Sequence, residues 1–225
     1  MSSKCSCVIP FYNESEQILS VLEAAANARN ISEIICVDDG STNNTARLVT
    51  KKFPRVKIIH LKQNSGKVNA VRVGVKTSKN DYVLLLDADL RFLKSKELDQ
   101  AIQKTIDQDL DMMILNLINA PWILKINRDI LFSGVRIVKR DDLLKILSFN
   151  IARYELEVAI NSYMLKNNKT VRWYPSSALN TPKMRKWGLL PGLKRDVVMF
   201  KDMFEYEGFM KYLQNILNFT WTKAE

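Results

Sequence analysis

Two aspartates, Asp87 and Asp89, lie one residue apart in the stretch DYVLLLDADLRF at residues 81–92. The five apolar residues before them, Tyr82 to Leu86, read as a strand buried on both faces. Residues two apart in a strand point the same way, so both carboxylates are expected to face one site. Unpaired charge at the end of a buried strand is costly, which calls for either water or a cation there. Hard divalent cations take oxygen ligands, and Mg²⁺ is commonly held by one or two carboxylates plus substrate phosphates. The plainer reading is a D-x-D turn that caps the helix beginning near Ser95. Position at the end of the fourth strand in an alternating series favours the metal.

Three further stretches carry chemistry. VDDGST, residues 37–42, ends an apolar run in a tight turn. One of its aspartates suffices as a helix N-cap, which leaves the other to accept a hydrogen bond from a base N–H or a ribose hydroxyl. QNSGKVNA, residues 63–70, supplies a glycine turn and Lys67. Backbone N–H groups at a helix start and an ammonium favour phosphate; a surface lysine after a turn fits equally well. The spacing matches neither a Walker loop nor a G-x-G-x-x-G dinucleotide loop. Pro10, Tyr12, Asn13 and Glu14 follow the first apolar run.

The elements needed to bring these stretches together alternate along the first half of the chain. CSCVI, ISEIICV, VKIIHL, YVLLL and DMMILNL read as strands, and helical patterns of ten to fifteen residues lie between them. That order predicts right-handed βαβ units and a parallel sheet covered on both faces. Ligands of such sheets bind at the carboxyl ends of the strands, near a topological switch point. Four strand ends then converge on carboxylates, an aromatic ring, a glycine turn and a lysine, a set suited to a metal-associated phosphorylated ligand bearing a planar base. Beyond residue 116 the pattern loosens. FSGVRIVKR and KTVRWYP read as strands, and DDLLKIL and ARYELEVAINSYMLKNN as helices.

The 225 residues allow one large domain plus an appendage. A net charge of +10 favours anionic partners. Three cysteines, Cys5, Cys7 and Cys36, form no disulfide framework and imply a reducing compartment. His60 is the only histidine, which excludes a His-based metal cage or a His-dependent triad. The N-terminal residues lack the apolar core of a signal peptide, and no apolar run approaches the roughly 18 residues of a spanning helix. From Thr181 a basic stretch (Lys183, Arg185, Lys186, Lys194, Arg195) precedes an apolar-faced helical pattern with Trp187 and Trp221 on its flanks. That combination suits the surface of an anionic membrane, a docked helix or a dimer contact.

VIPFYNE, VDDGSTNNT, NSGKVNA and LLLDADL, in this order and with these gaps, resemble the family 2 glycosyltransferases of the GT-A fold. SGVRIVKRDDLLKIL and YELEVAINSYMLKNNKTVRWYP are most similar to the dolichol-phosphate mannosyltransferase and polyprenyl-phosphate sugar transferase branch, so the likeness covers roughly residues 4–175. The resemblance implies a Rossmann-like α/β sheet, mostly parallel, with helices on both faces and a C-terminal helical appendage. The glycosyltransferase domain would span residues 1–180 and the basic, amphipathic appendage residues 181–225. It implies an inverting transfer from a UDP- or GDP-linked sugar to a lipid-phosphate (polyprenyl-phosphate) or glycan acceptor, assisted by Mg²⁺ or Mn²⁺, with no nucleic acid as partner. The expected location is cytoplasmic, with the C-terminal segment peripheral on the membrane face. By this likeness Pro10, Tyr12, Glu14 and Asp39 hold the nucleoside, with Lys67 nearby. Asp87 and Asp89 hold the metal on the diphosphate, and the guanidinium fork of Arg136 faces a donor or acceptor phosphate.

Two features of the chain refine this. Arg91 stands where relatives of that branch often carry a glutamine metal ligand. An arginine cannot ligate a metal, so it either weakens metal binding or supplies positive charge itself. A hydroxyl acceptor would use a general base, whereas an ionised phosphate needs none. Glu155 and Glu157 lie roughly 200° apart on a helix, so one of them can enter a given cleft, and Glu155 is the choice here. Two rival functions remain. A sugar-phosphate nucleotidyltransferase would want a Gly/Arg-rich loop where IPFYNESEQ stands. A non-catalytic nucleic-acid-binding protein fits the charge but leaves the strand-end carboxylates unexplained.

Overall fold

Strict alternation in the first strand splits the core into two layers. The computed structural model describes residues 4–14, 16–117, 133–151, 156–180 and 224. Within them the elements run β1 (Cys5–Phe11), α1 (Gln17–Ala26), β2 (Ile31–Asp38), α2 (Thr45–Lys52), β3 (Lys57–His60), α3 (Lys67–Thr77), β4 (Tyr82–Leu85) and α4 (Ser95–Asp107). They continue through β5 (Met112–Asn116), β6 (Arg136–Lys139), α5 (Arg140–Ile146), α6 (Leu156–Lys166) and β7 (Val171–Pro175). Cys5, Cys7, Ile9 and Phe11 of β1 pack against Ile18 and Leu22 of α1 and Leu98 and Ile102 of α4. Val8, pointing the other way, joins Val71 and Val75 of α3, with Leu143 of α5 and Ile160 of α6 in the same cluster. All three thiols are buried and free, and burial pushes Cys36 up to about 12, so they line the core as protonated apolar groups.

The strands form one sheet in the order β3-β2-β1-β4-β6-β5-β7. The pairs β1·β2, β1·β4 and β2·β3 are parallel, as the alternating pattern predicts. β6 alone runs against its neighbours, antiparallel to both β4 and β5. This mostly parallel sheet with helices on both faces is the expected architecture. The expected appendage at 181–225 lies outside the described residues apart from residue 224. No helix among the described residues is long and apolar enough to cross a membrane.

Two local features open the sheet where a ligand would sit. The order of strands reverses between β1 and β4, which makes that gap the switch point. Val8 bonds toward β4, accepting from the Leu86 N–H at 3.0 Å. Pro10, two residues on, faces the same neighbour but has no N–H to donate, so it cannot extend the ladder. β4 ends at Leu85, one residue earlier than its apolar run, and Ala88 and Asp89 lie in a turn. The two-residue alternation of a strand therefore does not extend to Asp87 and Asp89, which the turn positions instead.

α3 lies close on this part of the sheet because of Gly74. A Cβ there would stand 2.4 Å from Val8 Cγ1 and 3.3 Å from Val37 Cγ2. Val8 is fully buried and β-branched, so it has little room to yield. Gly74→Val is expected to lower stability by about 1–3 kcal/mol through overpacking, measured as the shift in a urea unfolding midpoint at unchanged slope.

Candidate functional site

The antiparallel entry of β6 builds one side of the site. The register pairs Leu85 of β4 with Arg136 of β6. Two residues further along β4 and two back along β6 set Asp87 opposite Gly134. The approach is tight: a Cβ at Gly134 would lie 2.3 Å from Asp87 Oδ2. The other carboxylate oxygen, Oδ1, is 2.8 Å from Lys67 Nζ. Lys67 also reaches Glu157 Oε1 at 2.9 Å. The first residue of α3 thus bridges two carboxylates from opposite sides of a small cleft, whose lining includes Pro10, Leu86, Gly134 and Arg136.

Burial draws the Lys67 pKa down, but Asp87 and then Glu157 outweigh it and hold the ammonium above its ordinary value. For Glu157 burial acts upward, while Lys67 and then Arg136 hold its carboxyl below 4.5. Arg136 is fully buried, and this desolvation lowers its pKa to about 10 against the pull of Glu157 and Asp87. It stays charged at neutral pH. Its Nε donates to the Ser133 carbonyl at 2.7 Å and its Nη1 to Asn161 Oδ1 at 2.5 Å. Arg136 therefore sits inside the sheet, between β4 and β5, held by protein groups.

A second group of loops adjoins this cleft. Asp39 is buried, and its Oδ1 accepts from the Ser65 N–H at 2.8 Å and the Ser65 hydroxyl at 2.9 Å. Its Oδ2 accepts from the Gly66 N–H at 2.8 Å. Asp38 accepts from the Ser41 N–H at 2.9 Å and pairs with His60 Nδ1 at 3.0 Å. Both aspartates of VDDGST thus have structural partners, where sequence reasoning reserved one for a ligand. Asp39 pins the turn that starts α3 and so aims Lys67. Tyr12 is exposed at the rim and Pro10 and Glu14 are half-buried. The Glu14 carbonyl accepts from the side chains of Asn43 and Thr45.

Three residues were missed as site builders. Asn13, in left-handed backbone at φ 49°, accepts from the N–H groups of Thr42 and Asn43 at 2.8 and 3.3 Å and fastens the end of β1 to the loop after β2. An Asn immediately after a strand-ending aromatic was the available signal. Gly134 gave only the SG before the sixth strand. Glu157 faces the cleft, whereas the preferred Glu155 lies outside the described residues. Asp89 is half-buried in the turn beyond Asp87. The guanidinium of Arg91 lies over the Phe92 ring, 5.3 Å from its centroid, and its backbone pairs with Leu179.

Among the described residues, no three His, Cys, Asp or Glu side chains group to hold a metal ion. Two rim carboxylates of hard oxygen still fit Mg²⁺ or Mn²⁺ where a diphosphate completes the shell. One Asp87 oxygen, however, already carries an ammonium.

Residues 6–128 match the family described as "Glycosyl transferase family 2", more than half of the chain. The chain belongs to this family. A dolichyl-phosphate beta-glucosyltransferase of Dictyostelium discoideum is 37% identical over 37% of this chain and 30% of its own length. Glycosyltransferase GlyG of Streptococcus pneumoniae is 30% identical over 53% of this chain and 40% of its own length. The chain thus spans less than half the length of these relatives. Among solved structures, Staphylococcus aureus TarS 1–349 superposes with a TM-score of 0.64 at 20% identity, over 80% of this chain and 60% of that one. The glucosyl-3-phosphoglycerate synthase of Mycobacterium tuberculosis, solved with Mn²⁺, UDP and glucosyl-3-phosphoglycerate, gives 0.68 at 14% identity over 89% of this chain and 80% of that one. These likenesses show that the family 2 chain has the GT-A fold.

Two outcomes follow from the cleft. Gly134→Ala must displace the Asp87 carboxylate, and nucleoside diphosphate affinity in the presence of Mn²⁺ is expected to fall at least about tenfold, or about 1.4 kcal/mol, by calorimetry. The depressed carboxyl of Glu157 contributes stability that is fully present above 4.5 and lost as the pH falls through its lower folded value. Glu157→Gln is therefore expected to be less stable than the parent at pH 7, with the gap closing as the pH falls below 4.5 in urea titrations.

Proposed function

We propose that the protein is an inverting glycosyltransferase that moves a sugar from a UDP- or GDP-linked donor to a lipid-phosphate or glycan acceptor. The observation that carries this reading is the set of rim groups at the β1/β4 switch point of a family 2 chain: Tyr12 at the mouth, Asp87 and Asp89 past β4, and Lys67 at the start of α3. Tyr12 offers its ring to the base, and Pro10 and Glu14 border the nucleoside. Asp39 fixes the α3 turn, and its Oδ2, with a single hydrogen bond, keeps capacity for a nucleoside donor group. Asp87 and Asp89 would hold Mg²⁺ or Mn²⁺. A bound divalent cation supplies charge neutralisation to the diphosphate leaving group.

Arg136 works from inside the sheet: it holds Glu157 ionised and adds positive field behind Asp87. Glu157 is committed to Lys67 and is a poor proton acceptor. A phosphate acceptor needs no base, which suits this arrangement and agrees with the similarity to dolichyl-phosphate beta-glucosyltransferases. For a hydroxyl acceptor the base would be Glu155. The basic segment after Thr181 would meet the cytoplasmic membrane surface, where a lipid-linked acceptor is presented.

Asp89→Ala is expected to abolish sugar transfer while the far-UV circular dichroism and unfolding midpoint stay near those of the parent. Full activity in that variant would overturn the assignment. Release of nucleoside diphosphate is the expected product; pyrophosphate would instead indicate nucleotidyl transfer.

A further inference from the structure

The site contains a resident cation of its own. Lys67 Nζ lies 2.8 Å from Asp87 Oδ1 and 2.9 Å from Glu157 Oε1. The second oxygen of Asp87 is walled by Gly134, where even a methyl group would stand 2.3 Å away. With an ammonium on one oxygen and the Gly134 backbone close to the other, the 21% exposed Asp87 side chain can bind a metal only in competition with Lys67. From this geometry, and resting on the donor and metal reading above, we infer that Lys67 is a displaceable counter-ion. It covers Asp87 while the donor is absent and passes to the donor's diphosphate when that arrives, so that nucleotide and metal enter together.

Charge balance supports the hand-over. Asp87 and Glu157 face Lys67 and Arg136 and balance them; Asp89, in the turn two residues beyond Asp87, brings the donor-free cluster to one net negative charge. When Lys67 leaves for a phosphate, the cluster carries two negative charges, which one divalent cation neutralises. Arg136 cannot make the same move, because it is fully buried and tied to Ser133 and Asn161. Lys67 can, because its side chain is 38% exposed and stands on the first residue of α3. An ammonium on a flexible stem is the mobile member of such a pair of cations. The site thus binds a nucleoside diphosphate with the lysine and admits the metal at the vacated carboxylate.

The test uses Lys67→Met combined with Glu157→Gln. This pair removes one charge of each sign, so the net charge of the cluster is unchanged, and Asp87 is the one carboxylate that loses its ammonium. Mn²⁺ binding is read by electron paramagnetic resonance without nucleotide, with folding checked by circular dichroism. The double variant is expected to bind Mn²⁺ at least tenfold more tightly than the parent; equal affinity would overturn the inference. In EDTA, affinity for UDP or GDP, whichever stabilises the parent, is expected to fall about tenfold in the double variant. An unchanged value would also overturn the hand-over. Adding Asp89→Asn to the double variant is expected to return Mn²⁺ binding to the parent's weak level. Retained tight binding there would instead remove the metal site proposed above, independently of the lysine result.

Discussion

The ion pair between Lys67 and Asp87 ties the fold to the site. It joins the start of a helix to the end of a strand across the one gap in the sheet where the strand order reverses. Its worth lies between two limits. A solvent-exposed pair contributes about 1 kcal/mol or less, whereas losing one partner of a buried pair costs about 3–5 kcal/mol. Lys67 is partly exposed and serves two carboxylates, so the cleft is held shut firmly enough to be ordered and loosely enough to exchange partners. Everything that aims this lysine is structural in origin. Asp39 accepts three hydrogen bonds from Ser65 and Gly66 and so fixes the first turn of α3. Gly74 lets the same helix lie against β1.

The opposite wall follows from strand direction. A parallel strand beside β4 would run away from Asp87 at its own carboxyl end. An antiparallel β6 instead enters there, and the residues that lead into it, from Ser133 to Arg136, meet the end of β4. Register then dictates that the residue opposite Asp87 has no side chain and that a charged residue sits two positions further in. Pro10 completes the opening by ending the β1·β4 ladder just before the carboxylates. The crevice is thus produced by three backbone facts: a missing N–H, a reversed strand and a missing Cβ.

Much of this was legible from residue types and periods. The five strands of the first half stand out because each is a short apolar run bounded by turn residues, and the helices between them have a single apolar face. The four strand-end motifs are brought to one edge because parallel strands carry their carboxyl ends together. What escaped was pairing across sequence distance. Nothing local in VDDGST says that Asp39 also fastens a turn 26 residues later, or that Asp38 meets His60. Glu157 could not be separated from Glu155 by helical angle alone, because the rotation of α6 is set by Ile160 and Met164 packing under the sheet. The two-residue alternation invoked for Asp87 and Asp89 does not reach them, because the strand stops at Leu85.

The buried arginine is the most costly element of the arrangement and the most informative. Arg136 is among the largest fully buried side chains, in the middle of a sheet where a leucine or isoleucine would pack without desolvating a charge. Replacing buried ionic groups with apolar ones is often neutral or stabilising, so stability alone gives little reason for it. Its hydrogen bonds satisfy the guanidinium but do not discharge its field. That field falls on Glu157 and Asp87, the two carboxylates that Lys67 bridges. Two fixed anions served by one fixed and one movable cation stay compensated in part when the movable one departs. A cluster with Lys67 alone would be left with bare buried carboxylates each time the lysine turned to a phosphate. The arginine makes that departure tolerable, which is why the fixed charge lies inside the sheet and the mobile one at its edge.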